Sequence, residues 1–461
     1  MWVSCARMPT FGKPVALRAV NGHTNGMEGI GRPTIAKWGW LLWRLTRRLW
    51  LRATLISLLA VAAALISIII SPYLPIGLSA KIGADAVDHI LNIIATSMLA
   101  VTTFSLSTMV ASYSAASTSV TPRATKLLIE DRTTLNVLAT FVGSFLFSVV
   151  GIVTLSMNAY GEQGRVILFA VTILVILLIV VTLLRWIDYL IRLGRVGETT
   201  DEVEKAATQA MKARVDLPNL GGVRWDDMKS LPGNAQPVFS KRVGYVQHVD
   251  VGAISSRAGE FGARVYLGAL PGTFADLHRP IAWIAGAKGD FDPATVAKAF
   301  TIANERSFDQ DPRFGLCVLA EIASRALSPG LNDPGTAIDV IGRAVRVLSA
   351  WAGNQEEDAD PPFANVYVPP ILVDELFEDL MVPISRDGAH LAEVQIRLQK
   401  AYGALACNGD KRFQAAALKY SKISLQRAEA ALTSDFDLKR VRASAALVKS
   451  RAKKNGWSAS K

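Results

Sequence analysis

The residues best placed to do chemistry in this chain are hydroxyls set within an apolar run. No charged residue lies between Asp88 and Arg123, yet Thr96, Ser97, Thr102, Thr103, Ser105, Ser107, Thr108, Ser112, Ser114, Ser117, Thr118, Ser119 and Thr121 follow one another there among alanines and aliphatics. Thr103, Ser107, Ala111, Ala115 and Ser119 recur every four residues, as do Ala100, Thr108, Ser112 and Ala116 with Phe104 interrupting. On a helix such a stripe shares one face, where small side chains let two backbones approach and hydroxyls bond across the contact. The same face can instead line an aqueous path. Arg123, Lys126 and Arg132 follow at once and would form a basic mouth to that path.

The second suggestive stretch is Ser328-Pro329-Gly330-Leu331-Asn332-Asp333-Pro334-Gly335-Thr336. Pro329 and Gly330 stop one helix. Asp333 starts the next as its N-cap, with Pro334 at the first helical position, where a missing N–H costs nothing. The spacing from Gly330 to Thr336 is similar to a phosphate-binding loop. Thr336 stands where the lysine is needed, however, and a helix rather than a strand precedes it, so nucleotide binding is rejected. Two readings stay open: a rigid helix corner, or a gating corner with Asn332 and Asp333 aimed at an ion or a neighbouring subunit.

Catalytic constellations are otherwise missing. His23, His89, His248, His278 and His390 are far apart, with no i, i+4 pairing for a metal, and no nucleophile-elbow serine occurs in a strand–turn–helix setting. Asp358/Asp360 and Asp435/Asp437 read as solvated loop pairs, and His248 with Asp250 as a surface pair on a strand. Cys5, Cys317 and Cys407 are scattered and odd in number, so no disulfide framework follows and a reducing compartment fits. An enzyme is the least supported class, and no cofactor or metal is expected.

The elements that must position these residues follow from composition. With 461 residues, 51% of them hydrophobic, and a mean hydropathy of +0.28, the chain divides naturally into a membrane part and a soluble part. A net charge of +11 would suggest nucleic acid if the basic residues formed one patch. Many of them flank apolar spans instead, where membrane orientation and anionic lipid explain them, so no nucleic-acid partner is expected. Residues 1–36 read as a disordered leader. Trp38, Trp40, Trp43, Arg44, Arg47, Arg48, Trp50 and Arg52 lead into a first span, Ala53 to Ile70. The Ile90–Arg132 stretch holds the second span, Asn136 to Met157 is the third and Val166 to Leu184 the fourth, closing a transmembrane domain over 37–196. Basic residues gather at one side: Lys37 to Arg52, then Arg123, Lys126 and Arg132, then Arg185, Arg192 and Arg195, against Lys81 and Arg165 on the other. That asymmetry places both termini in the cytoplasm of a bacterial inner (plasma) membrane protein.

Beyond Arg195 the composition becomes that of a soluble domain. Residues 197–242 read as a charged helix and a Gly/Pro-rich linker, and 243–290 as a small β-containing subdomain with strands near Val243–Val251, Ala263–Ala269 and Ile281–Ile284. Residues 291–432 read as mostly helical, with helices at Ala294–Glu305, Phe314–Ala326, Pro334–Trp351, Ala389–Ala406 and Phe413–Leu432. Residues 433–461 read as a basic tail.

A resemblance gathers these blocks. Phe104-Ser105-Leu106, Thr121-Pro122-Arg123 and Glu130-Asp131-Arg132 look like the membrane half of a family of bacterial predicted membrane proteins, domain of unknown function 2254. Gly244-Tyr245-Val246-Gln247-His248-Val249-Asp250, Pro271-Gly272-Thr273-Phe274, Asp311-Pro312-Arg313-Phe314-Gly315-Leu316 and Ala326 to Ala337 resemble its soluble half. The resemblance implies a fold and a membrane location but no activity. The expectation is a multi-pass α-helical membrane domain (four transmembrane helices) followed by a cytoplasmic α+β domain. It would work in the lipid bilayer as a homo-oligomeric channel or transport-like assembly. The alternative is a membrane-anchored scaffold or sensor whose cytoplasmic domain binds a partner.

Overall fold

The computed structural model describes residues 58, 62, 84–129, 132–157, 162–227, 230–352, 360–408 and 410–458. Three of its helices are long and apolar enough to cross a membrane, over Ala86–Thr118, Thr133–Ser156 and Arg165–Arg192. The expected first span, Ala53 to Ile70, lies outside the described residues apart from Leu58 and Ala62. The hydroxyl-rich helix α1 (Ala84–Ser119) does not run on to Arg132 as one element: it stops, and α2 (Pro122–Ile129) restarts the chain. Pro122 has no N–H to continue a helix and disfavours helical geometry in the residue before it. Thr121 caps the new helix, its Oγ1 accepting the amide of Arg123 at 3.1 Å. Helices α3 (Arg132–Ser156) and α4 (Glu162–Arg192) are the other two apolar helices among the described residues. α1 packs chiefly along α3, with Ile94, Met98, Met109, Phe141 and Trp186 in one cluster. Val87, Leu91, Phe147 and Leu168 form a second. Gly151 lets α3 close on α1, since a Cβ there would stand 2.9 Å from Leu91 Cδ1.

After α4 the chain turns at Gly194, with φ of +83°, and enters α5 (Val196–Asp216), the stem of the C-terminal domain. α5 lies against α8 (Pro312–Ala326) and α9 (Pro334–Trp351), and α10 (Val373–Asp387), α11 (Ala392–Asn408) and α12 (Lys411–Ala431) extend the same core. The expected basic tail is instead largely a packed helix, α13 (Asp435–Ser458). Its Val441 and Val448 are buried against α11 and α12, so apolar spacing outweighs charge there. Asp435 and Asp437 sit in its first turn rather than in a loop. Val120 and Ala124, at the membrane-helix end, belong to the same core as Val203, Met211, Leu319, Leu348, Phe377 and Tyr402. Gly315 permits the closest approach, as a Cβ there would lie 2.4 Å from that of Ala207.

The β part is larger than its sequence outline. β1 (Gly222–Arg224) and β2 (Gln236–Phe239) come from the stretch read as linker, and β8 (Phe363–Val368) from the stretch read as helical. They join β4 (Arg264–Leu267) and β6 (Pro280–Ala285) in a sheet of order β1-β8-β4-β6-β2. Val265 pairs with Val366 in parallel and with Ile284 antiparallel, so β8 lies beside β4 after a detour of some hundred residues in sequence through α8 and α9. A second sheet has the order β5-β3-β7, from β3 (Gly244–Val249), β5 (Phe274–Ala275) and β7 (Phe300–Ala303). α6 (Val251–Glu260) packs on the larger sheet. The expected Ala294–Glu305 helix is shorter, α7 (Pro293–Lys298), because β7 claims Phe300–Ala303 for pairing with β3.

Candidate functional site

α1 presents its small residues outward. Thr103, Ser107, Ala111 and Ala115 are exposed, Thr108 and Ser112 half-buried. At 100° per residue, Thr96, Thr103, Ser107, Ser114 and Thr118 fall along the middle of the exposed face, with Leu99, Leu106 and Val110 on one flank and Ile93 and Phe104 on the other. Among the described residues these hydroxyls bond within their own helix rather than across a helix contact. Thr103 Oγ1 donates to the Leu99 carbonyl at 2.9 Å, Ser107 Oγ to Thr103 at 3.0 Å and Thr108 Oγ1 to Phe104 at 3.0 Å, all inside their own helix. Such back-bonding is the cheapest way to satisfy a hydroxyl in an apolar medium. Ser105 is the exception. Its side chain is 0% exposed, and its Oγ accepts from Trp186 Nε1 of α4 at 2.9 Å. It is a packing residue, off the outward stripe. The side chains of Ser119 and Arg132 fall outside the described residues.

Two of the basic residues expected at the mouth are ion-paired with the C-terminal domain. Arg123 Nη1 meets Glu321 Oε1 of α8 at 2.6 Å, and Lys126 Nζ meets Glu305 Oε2 at 2.8 Å. Thr121 Oγ1 donates to the other oxygen of Glu321 at 3.2 Å. Lys126 holds the Glu305 carboxyl below its usual range by hydrogen bond and charge. These exposed pairs are individually weak; their effect comes from sitting beside the continuous core through Val120 and Ala124. A second ionic cluster fastens the stem. Arg343 of α9 engages Asp201, Glu204 at 2.9 Å and Asp339 at 2.6 Å, and Arg346 adds Glu204 at 2.6 Å. An open depression of about 410 Å³ beside it is lined by Asp201, Glu204, Lys205, Thr208 and Gln209.

The 328–336 corner has the expected cap. Asp333 Oδ1 accepts the Thr336 amide at 3.0 Å and Oδ2 the Thr336 hydroxyl at 2.6 Å, bonds that hold its carboxyl below the usual range. Ser328 closes the preceding helix, its Oγ donating to the Arg325 carbonyl at 2.6 Å and its own carbonyl accepting the Asn332 amide at 2.8 Å. Asn332 takes φ of +47°, a left-handed geometry asparagine tolerates. Pro329, Gly330, Asn332 and Asp333 are exposed and Pro334 is half-buried, so the corner projects from the domain.

One constellation was not visible as a site in the sequence. The motifs around Gly244, Gly272 and Asp311 converge on a buried ionic knot. Asp311 is buried, N-caps α8 through the Phe314 amide at 3.1 Å, and accepts from Arg306 Nε at 2.8 Å. Burial pushes its carboxyl up against the opposing pull of Arg306. Burial also lowers the Arg214 guanidinium to about 10 and raises the Cys317 thiol to about 11. Gln247 Nε2 donates to the Glu305 carbonyl at 2.7 Å, and Gln310 Oε1 accepts the Val249 amide at 3.0 Å, tying β3 to the loop before α8. His248 and Asp250 are buried rather than on the surface, and Asp250 caps α6. The knot reads as a rigid joint between sheet and helices. Among the described residues no group of three or more His, Cys, Asp or Glu could hold a metal ion.

A family model described as Predicted membrane protein (DUF2254) matches residues 46–404. The uncharacterized proteins Rv1290c of Mycobacterium tuberculosis and Mb1321c of Mycobacterium bovis are each 35% identical over 135 residues, which is 28% of this chain and 26% of theirs. The chain thus spans about a quarter of the length of these curated relatives. No solved structure matches the chain.

Proposed function

Because the chain belongs to the DUF2254 family of predicted membrane proteins, we propose that it works as a homo-oligomeric, transport-like membrane assembly in which α1 helices of neighbouring copies meet along their outward stripe. One observation carries this: Thr103, Ser107, Ala111 and Ala115 form an exposed line of small residues that the chain's other described helices leave uncovered. Small residues at i, i+4 favour close helix association in lipid. Hydroxyls already bonded to their own backbone strand no donor at that contact, and their remaining lone pairs can face water along a central path. The mass of the purified protein in detergent is the direct test. A ring with flux in proteoliposomes supports the proposal, with Ala111→Leu dispersing the ring and Ser107→Leu altering flux. A monomer, or a folded ring that passes no ion under varied tension, voltage and pH, rejects the channel.

A second reading, a membrane-anchored sensor, is favoured by the Arg123–Glu321 and Lys126–Glu305 pairs, which couple the membrane helices to the C-terminal domain. Here Arg123→Glu should loosen the domain, measured as faster amide exchange in α8, and Glu321→Arg in the same chain should restore it. Exchange unchanged by Arg123→Glu would remove the coupling role. In either reading the protein lies in the bacterial inner membrane with its C-terminal domain in the cytoplasm.

A further inference from the structure

We propose that the turn Lys241-Arg242-Val243 and the turn carrying Phe274, Leu277 and Arg279 together form a docking surface for the anionic headgroups of the bilayer that holds α1, α3 and α4. The two turns lie side by side because Gly244 pairs with Ala275 and Tyr245 with Phe274, whose rings meet edge to face at 5.2 Å. Val243 is 52% exposed, Phe274 49% and Leu277 49%, an unusual outlay of apolar surface at a sheet edge. Lys241, Arg242 and Arg279 are exposed around them. The one acid in these turns, Asp276, folds back on its own backbone, with Oδ1 accepting the amides of His278 and Arg279 at 2.7 Å each. Lys241, Arg242 and Arg279 against the single carboxylate of Asp276 leave the turns net positive around the apolar side chains, which suits a headgroup layer over acyl chains.

Continuity with the membrane helices selects this partner. α2 joins the ends of the spans α1 and α3, and the Tyr113 hydroxyl of α1 donates to the Leu128 carbonyl of α2 at 3.2 Å, so α2 lies at the span ends. Lys126 of α2 holds Glu305. Two residues before Glu305, Ala303 pairs with Tyr245, next to the patch. A surface tethered this close to the bilayer needs little intrinsic affinity to stay on it. Each basic residue near an anionic surface contributes about fivefold.

The test uses full-length protein with Cys5, Cys317 and Cys407 replaced by serine and Leu277→Cys carrying an environment-sensitive fluorophore. The protein is placed in nanodiscs of phosphatidylcholine alone or with phosphatidylglycerol. Emission should shift to the blue in the anionic discs, return towards the aqueous value in high salt, and lose the shift in Lys241→Glu/Arg242→Glu. A probe at Ser434→Cys should show no lipid dependence, and Val243→Cys serves as a second reporter should the Leu277 variant fold poorly. Equal emission from both reporters in the two lipids overturns the proposal. So does a shift that follows protein density rather than lipid charge, which would mean that a second copy covers the patch.

Discussion

At the scale of single residues, Asp333 shows how much a short motif can dictate. Its carboxylate satisfies the first turn of α9 and faces the positive end of that helix. Asp333→Ala should cost about 1 kcal/mol of stability, and Asp333→Asn, which keeps a capping oxygen, only a few tenths. The pH dependence has a definite sign. Hydrogen bonds from Thr336 depress the folded-state pKa, so the charge contributes fully above the ordinary carboxylate value and its contribution is lost as pH falls through the depressed one. Thermal melts should therefore separate wild type from Asp333→Asn near neutrality and bring them together in acid. A melting temperature for Asp333→Ala equal to wild type would show that the cap does not start α9. The cap was legible because every partner lies within three residues. Ser105 was not: nothing near it in sequence announces Trp186, and its hydroxyl looked like its twelve neighbours.

At the scale of elements, the decisive feature is how α8 is seated. Gly272, with φ of +95°, brings its turn so close that a Cβ would stand 2.3 Å from Asp311 Oδ2. Gly272→Ala must strain the backbone and displace a buried carboxylate held by Arg306. The expected cost is on the order of 1–3 kcal/mol, read as a lower melting temperature of the full protein. An unchanged melt would mean that the turn yields without disturbing the knot. The Pro-Gly turn and the Asp-Pro helix start were each readable locally; that they touch was not, because the pairing of β3 with β5 and β7 is what places them side by side.

At the scale of the whole molecule, the apolar group and the C-terminal domain share a core through Val120 and Ala124. The proposed orientation follows from the basic residues at the α2 side of the spans. With native cysteines removed, an impermeant thiol reagent on spheroplasts should label a cysteine placed at Ala159 and spare one at Ser434. Labelling of Ser434→Cys alone would invert the orientation.

Sequence by itself determined the features whose cause is local. These include three apolar runs long enough to span a membrane, the helix corner at Asp333, the strands around Gly244, Arg264 and Ile281, and the family. Tertiary structure decided the rest. A hydroxyl stripe has the same sequence whether it faces a neighbour, water or lipid, and only packing placed Thr103 and Ser107 outside and Ser105 within. The ion pairs of Arg123 and Lys126 were hidden because their partners, Glu321 and Glu305, lie about 200 and 180 residues away along the chain. β8 stayed hidden for the same reason: a short strand is defined by the neighbours it pairs with, and those are set by the sheet that receives it.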